Sequence, residues 1–270
     1  MFALTPMGAL LQSNAESSLR HWTIWSVRHL WPLWSELRHS VTTGESARNL
    51  LLGTTGFEHL ESDEPAAMMF GRAMAEVTRF VSKGLIQAYD FSRTKRVADI
   101  GGGYGELLAT TLGAHHLVSG VLFDRPYAIS GARDHLESAG VLERCELVAG
   151  DFFESVPVRS DAYLLKSVLH DWDDEGCELL LRNCRNTMPQ DATLLVIEQV
   201  MPECMEVSRV HQDAARKDLS MLIGPGGRER TLREFEVLLR STEFRIRRVA
   251  PLPLNFTLIE AIPSDSAGRK

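Results

Sequence analysis

The sequence predicts an α/β fold: an open, mostly parallel sheet covered by helices on both faces, preceded by a helical N-terminal segment. Three observations carry this. From Arg96 onward, apolar runs at 96–100, 117–123, 145–149, 161–169 and 193–200 alternate with helical stretches, the pattern of a buried parallel sheet. Two further runs, 244–249 and 256–262, are joined by Ala250-Pro251-Leu252-Pro253-Leu254-Asn255, a link short enough for an antiparallel edge hairpin. Residues 1–90 lack strand alternation, apart from a candidate short strand at Phe2-Ala3-Leu4. They read as helical, with breaks at Thr42-Thr43-Gly44 and Leu52-Gly53-Thr54-Thr55-Gly56. Seven strands are therefore expected in a domain over 91–263, after a helical segment over 1–90 and before a disordered tail, 264–270.

Taken in order, the first strand ends in the most informative stretch of the chain, Val97-Ala98-Asp99-Ile100-Gly101-Gly102-Gly103-Tyr104-Gly105-Glu106. Its glycines fall at i, i+2 and i+4, which differs from the GxGxxG spacing of dinucleotide sites. Such a turn lets backbone approach a bulky ligand, and a helix over 106–112 would aim its first N–H groups at an anionic part of it. The second strand ends at Val121-Leu122-Phe123-Asp124, about 20 residues on, where a carboxylate can accept hydrogen bonds from two ribose hydroxyls. Together these features read as an S-adenosylmethionine site. Ligands in open sheets of this kind bind outside the carboxyl ends of the strands. Asp99, Asp124, Asp151, His170 and Glu198 all fall at or just past the expected strand ends, so they are grouped into one site.

The fourth run leads into Leu165-Lys166-Ser167-Val168-Leu169-His170-Asp171-Trp172-Asp173-Asp174-Glu175. The strand is expected to end near Leu169, which places His170 at the mouth of the site. Asp173 or Asp174 can cap a helix whose buried stripe is Cys177, Leu180, Leu181, Cys184 and Met188. Glu198 ends the next expected strand, and Glu229 lies in the loop Gly224-Pro225-Gly226-Gly227-Arg228-Glu229-Arg230-Thr231. A carboxylate bonded to one ring nitrogen of a histidine fixes its tautomer and leaves the other nitrogen free as a base.

Composition narrows the function classes. The 270 residues carry a net charge of −7 with both signs interspersed and no basic run, which argues against nucleic acid as a partner. There is no apolar run long enough to span a membrane, and Met1-Phe2-Ala3-Leu4-Thr5-Pro6 lacks a basic start leading into an apolar stretch. A cytoplasmic location is the expectation. The cysteines, Cys145, Cys177, Cys184 and Cys204, form no CxxC pair and read as buried thiols. No HxxxH or other metal-spaced cluster occurs, so no metal is expected.

These motifs, in this order, resemble the S-adenosylmethionine-dependent small-molecule O-methyltransferases, the family of the plant caffeate and flavonoid enzymes and of bacterial polyketide and phenazine enzymes. The resemblance runs from Leu4 to Ile262. It rests on the glycine turn, on Phe123-Asp124-Arg125-Pro126 and Gly150-Asp151-Phe152-Phe153, and on the His170 and Glu229 segments. It implies a Rossmann-like, seven-stranded methyltransferase sheet. Gly101 and Gly103 would receive the methionine part of S-adenosylmethionine, with Asp99 beside them; Asp124 would bind the ribose, Asp151 and Phe152 would flank the adenine, and Lys166 would complete that pocket. His170 would be the general base, flanked by Glu198 and Glu229. The acceptor would be a small phenolic or enolic secondary metabolite. Trp34, Phe70, Met74, Asp171 and Met221 are the candidate walls of its pocket, although tryptophan and methionine at helical spacing also serve as plain core.

The chain departs from the family at its start, where Phe2-Ala3-Leu4-Thr5-Pro6-Met7-Gly8-Ala9-Leu10-Leu11 resembles only the final wing of a winged-helix dimerisation domain. The resemblance implies a homodimer for the full-length form. For this chain the expectation is a shortened form that dimerises poorly, with Leu10, Leu11, Trp22, Trp25, Leu30 and Trp31 left uncovered. A second departure is Ser241-Thr242-Glu243-Phe244, where relatives tend to have Ala-Gly-Phe. Two alternatives stay open at this point: non-methyl chemistry on the same scaffold, such as hydroxylation, decarboxylation or a pericyclic step, and a non-catalytic S-adenosylmethionine-binding partner subunit.

Overall fold

The computed structural model describes residues 3–54 and 56–264. Among them lie eight strands: β1 Arg96–Ile100, β2 Ser119–Asp124, β3 Cys145–Ala149, β4 Ala162–Lys166, β5 Thr193–Met201, β6 Arg230–Thr231, β7 Phe244–Pro251 and β8 Phe256–Pro263. The sheet order is β3-β2-β1-β4-β5-β8-β7. β1 to β5 pair in parallel, and β8 runs antiparallel to both β5 and β7. The sheet is thus the mixed, mostly parallel one expected, with its antiparallel edge. The eighth strand was not expected. β6 is a two-residue parallel pairing of Arg230 and Thr231 with Val200 and Met201, too short to leave a periodic signal.

Side chains alternate across the sheet and build a core on each face. Ala98, Ile100, Val121, Phe123, Tyr163 and Leu165 pack with the Asp174–Thr187 and Leu232–Ser241 helices on one side. Val97, Leu122, Leu164, Leu195 and Ile197 pack with Leu107, Leu108 and Leu112 of the Glu106–Ala114 helix on the other. Cys177, Leu180, Leu181, Cys184 and Met188 are buried as the spacing predicts. Asp173 caps their helix by accepting from the Gly176 N–H at 2.8 Å. The cysteines divide, however: Cys145 is half-buried and Cys204 exposed, because Cys204 lies beyond the end of β5, outside the core.

Residues before β1 are helical. Short helices at Arg20–Trp25, Trp31–Ser35, Leu37–Thr43, Ala47–Leu52 and His59–Ser62 lead into a 25-residue helix, Glu64–Ala88, whose first turn is capped by Asp63 accepting from Ala66 N–H at 3.0 Å. That helix packs on Arg20–Trp25 and on Glu106–Ala114, so Val81 and Leu85 belong to the core of the sheet while Ala66, Ala67 and Ala73 join the N-terminal cluster. Its Gly71 and Gly131 of the Pro126–Ser138 helix both close on the Cε1–Cζ edge of the Tyr104 ring; a Cβ added at either would overlap the ring. Tyr104 of the glycine turn is therefore wedged between two helices.

Several boundaries differ from expectation. Ala3 and Leu4 form no strand, and Phe2 lies outside the described residues. β4 stops at Lys166, not near Leu169; Val168 and Leu169 stay buried, so the apolar run outlasts the strand. Ser264 is tied down by its N–H donating to Glu243 O at 2.8 Å, and 265–270 lie outside the described residues. Trp25 is buried within its own chain, stacked on His29 and tilted against Phe70, whereas Trp31 is exposed. Where relatives tend to place glycine, Glu243 adopts φ 64°, a left-handed conformation with a steric cost for any side chain.

Candidate active site

The carboxyl ends of β1, β2 and β4 open into one cavity of about 1190 Å³, roofed by the N-terminal helices. At one end is the glycine turn. Gly101, Gly103 and Gly105 have φ of 67°, 59° and 76°, conformations that only glycine takes without strain. The turn is held by Asp124, whose two oxygens accept from Gly103 N–H at 2.7 Å and from Arg125 N–H at 2.6 Å. Asp99 is buried in β1, and its Oδ2 has no hydrogen-bond partner among the described residues. Burial, with the Asp124 charge nearby, pushes its carboxyl up to about 7. Burial likewise raises Asp124 and draws the Lys166 ammonium down to about 8. Asp151 accepts from Phe153 N–H at 2.8 Å and pairs with Arg125, which also pairs with Glu61 of the roof. Phe152 and Lys166 line the same end.

His170 stands farther along, in a one-turn 3-10 helix, Leu169–Asp171, that follows β4. Its Nδ1 is 3.1 Å from Glu229 Oε1 and 3.6 Å from Glu198 Oε2, and its Nε2 is 3.6 Å from Asp171 Oδ1. Burial alone would depress the imidazole, but Glu198, Asp171 and Glu229 surround it and lift it to about 10. Burial in turn raises Glu198 to about 7 and Asp171 to about 6. The ligand-type atoms of His170, Glu198 and Glu229 lie within 4.8 Å of one another, close enough to share a proton or to meet on one cation. The sequence showed no metal-spaced motif because these three come from separate segments.

Glu198 does not end its strand. It lies inside β5, fully buried and behind the cavity wall, where Oε1 accepts from Val168 and Leu169 N–H, both at 2.9 Å. It thus fixes the turn that carries His170. The same turn is clamped from the other side. Arg228 N–H donates to His170 O at 2.9 Å, and the buried Arg230 guanidinium donates to Leu169 O and Trp172 O at 2.7 and 2.8 Å. Glu229 is aimed by its own N–H donating to Asp218 Oδ1 at 3.0 Å. Ser167, at φ 54°, makes the sharp exit from β4.

The acceptor-side candidates Trp34, Phe70, Met74, Asp171 and Met221 all line the cavity, half-buried. Sequence reasoning did not single out Arg48 and Trp172, which also line the cavity, Asp218, which aims Glu229, or the clamping role of Arg230. Arg48 and Asp218 sit in helices whose pattern says nothing about what their side chains meet. Arg230 was visible in the loop motif, directly before the Thr231 helix cap, but nothing in that position signals what its side chain meets.

Comparison with known proteins agrees with this geometry. The model of the O-methyltransferase domain family matches residues 34–245. A phenazine O-methyltransferase from Lysobacter antibioticus is 39% identical over 263 residues, 97% of this chain and 76% of the relative. O-demethylpuromycin-O-methyltransferase from Streptomyces alboniger is 41% identical over 266 residues, 97% of this chain and 70% of the relative. Among solved structures, an O-methyltransferase from neocarzinostatin biosynthesis, in complex with S-adenosylmethionine and 2-hydroxy-5-methyl naphthoic acid, superposes with TM-score 0.84 at 30% identity. It covers 97% of this chain and 78% of that one.

Proposed function

We propose, on the premise that this chain belongs to the O-methyltransferase domain family, that it methylates a hydroxyl oxygen of a small aromatic molecule with His170 as general base. The enzyme is S-adenosylmethionine-dependent, and that cofactor supplies an electrophilic methyl group on a sulfonium. The residues present suit it. Asp99 packs beneath Gly102 and supports the turn, and a Cβ at Gly103 would meet nothing within 4 Å, so the turn is open to a ligand. Asp124 keeps lone pairs that would accept from ribose hydroxyls, and Asp151 and Phe152, which line the same end of the cavity, would flank the adenine. Among the described residues no helix is long and apolar enough to cross a membrane.

The observation that carries the base assignment is the His170 ring at the cavity wall, with Glu229 on Nδ1 and Nε2 left for an acceptor. A phenol of pKa ~10 facing an ordinary imidazole of ~6.5 gives a proton transfer uphill by roughly 5 kcal/mol. The surrounding carboxylates remove most of that difference by stabilising the imidazolium that forms. What remains is alignment of the acceptor oxygen with the methyl carbon and sulfur, which the clamped turn and the cavity walls would supply. Incubation with labelled S-adenosylmethionine and a panel of phenols tests the reading; absence of labelled ether with every phenol in a panel spanning benzene, naphthalene and phenazine rings would reject it.

The pH profile follows from the same cluster. With the folded His170 raised above 6.5, its neutral form grows about tenfold per pH unit up to the raised value, so kcat/KM should rise from neutral into alkaline pH. Glu229→Gln removes one carboxylate, lowers the histidine, and should move that limb toward lower pH while reducing the plateau. Profiles of both proteins between about pH 6 and 10 check this. A wild-type limb already complete near pH 7, or one that Glu229→Gln leaves in place, would contradict it.

A further inference from the structure

We infer that the acceptor carries a carboxylate, and that Arg48 is the specificity residue that seats it; this rests on the aromatic-acceptor reading above. Arg48 lies in the Ala47–Leu52 helix, 5% exposed, and lines the cavity. Its Nη1 donates to Gly56 O at 2.6 Å, and the guanidinium lies over the Phe57 ring, 5.5 Å from the centroid. On the far side a Cβ built at Gly224 would lie 3.5 Å from Nη2, so the group reaches across to the end of the Arg209–Ile223 helix beside Met221. Among the described residues no carboxylate forms an ion pair with it. Asp171 is the acid that acts on it most, from beyond pairing distance.

A guanidinium has five N–H donors and stays charged when buried, so taking it out of water is costly unless those donors are met. Among the described residues one carbonyl, Gly56 O, meets a single donor. The guanidinium lines a cavity that Phe57, Trp34 and Met221 also line, apolar side chains against which an aromatic ring can pack. A carboxylate on that ring matches the planar fork with two parallel hydrogen bonds. Asp171 neighbours both working groups: it is 3.6 Å from His170, and its charge acts on Arg48. A hydroxyl presented to His170 and a carboxylate presented to Arg48 would therefore both come near it, which fixes which hydroxyl of a polyhydroxylated acceptor meets the base.

The test is calorimetric binding, in the presence of S-adenosylhomocysteine, of hydroxybenzoic and hydroxynaphthoic acids and their matching carboxamides. In wild type the best acid should bind at least about tenfold more tightly than its amide. Arg48→Met should weaken that acid by about 10–100-fold, the range for a charge-assisted bidentate pair, and change the amide by less than about threefold. Arg48→Lys, which keeps the charge without the fork, should retain part of the preference. Equal binding of acid and amide across the panel, no binding of any acid, or a preference that survives Arg48→Met would overturn the inference. Turnover on the same samples separates the two readings. Acid and amide methylated with equal kcat/KM would sink the carboxylate inference alone, whereas an acid bound selectively through Arg48 and never methylated would sink the methyl-transfer reading alone.

Discussion

Replacing His170 by glutamine should slow methyl transfer by about 10²–10⁴ while leaving the affinity for S-adenosylmethionine nearly unchanged, the range expected when a general base is lost. The two effects separate because His170 stands away from the glycine turn, held by its own clamps from Glu198, Arg228 and Arg230. Glutamine is close in size and can still donate to Glu229, so the turn should keep its shape. It cannot take a proton. Single-turnover rates with a phenolic acceptor, alongside calorimetry of the cofactor, provide the check; turnover within about threefold of wild type would remove His170 from the chemistry and leave positioning as the sole source of rate.

The second large effect is expected at the other end of the cavity. Asp124→Ala should weaken S-adenosylmethionine binding by roughly 2–4 kcal/mol, taking charge-assisted hydrogen bonds at ~1.5–3 each with partial replacement by water. The structure adds a component that sequence alone did not suggest. Asp124 also accepts from Gly103 N–H, so the substitution frees the turn as well as the ribose site. Asp124→Asn keeps an acceptor for the turn, and a loss confined to Asp124→Ala would assign the effect to turn geometry. Loss with both variants assigns it to the charge. Unchanged affinity in both would mean that the ribose is held elsewhere.

Much of the sheet was legible because burial on both faces writes long apolar runs and because glycine marks the turn after β1. The helix stripe at Cys177–Cys184 and its Asp173 cap were legible for the same local reasons. The run through Val168 and Leu169 misled, since residues in a buried 3-10 turn are as apolar as those in a strand. Glu198 misled in the opposite way: an acid in an apolar run looks like a terminus, yet β5 continues to Met201, and the carboxylate sits inside it with one oxygen, Oε1, accepting from the neighbouring turn. Arg48 left no trace. Its partner loop at Gly56 and its cavity are set by packing between segments that no periodicity relates.

The wedge of Tyr104 between Gly71 and Gly131 has a consequence for how the two ligands enter. Tyr104 belongs to the turn that would receive the cofactor, while Gly71 sits one residue from Phe70 and three from Met74 on the wall of the cavity. A shift of that turn on filling would press on the cavity wall through this contact. The affinities of the two ligands are then linked, and thermodynamic reciprocity requires each to alter the other by the same factor. If the filled turn sets the wall, acceptor titrations with and without S-adenosylhomocysteine should give different constants, and Tyr104→Ala should make them converge. The molecule would then favour an ordered approach, with the aromatic acceptor admitted onto a slot that the cofactor has already shaped.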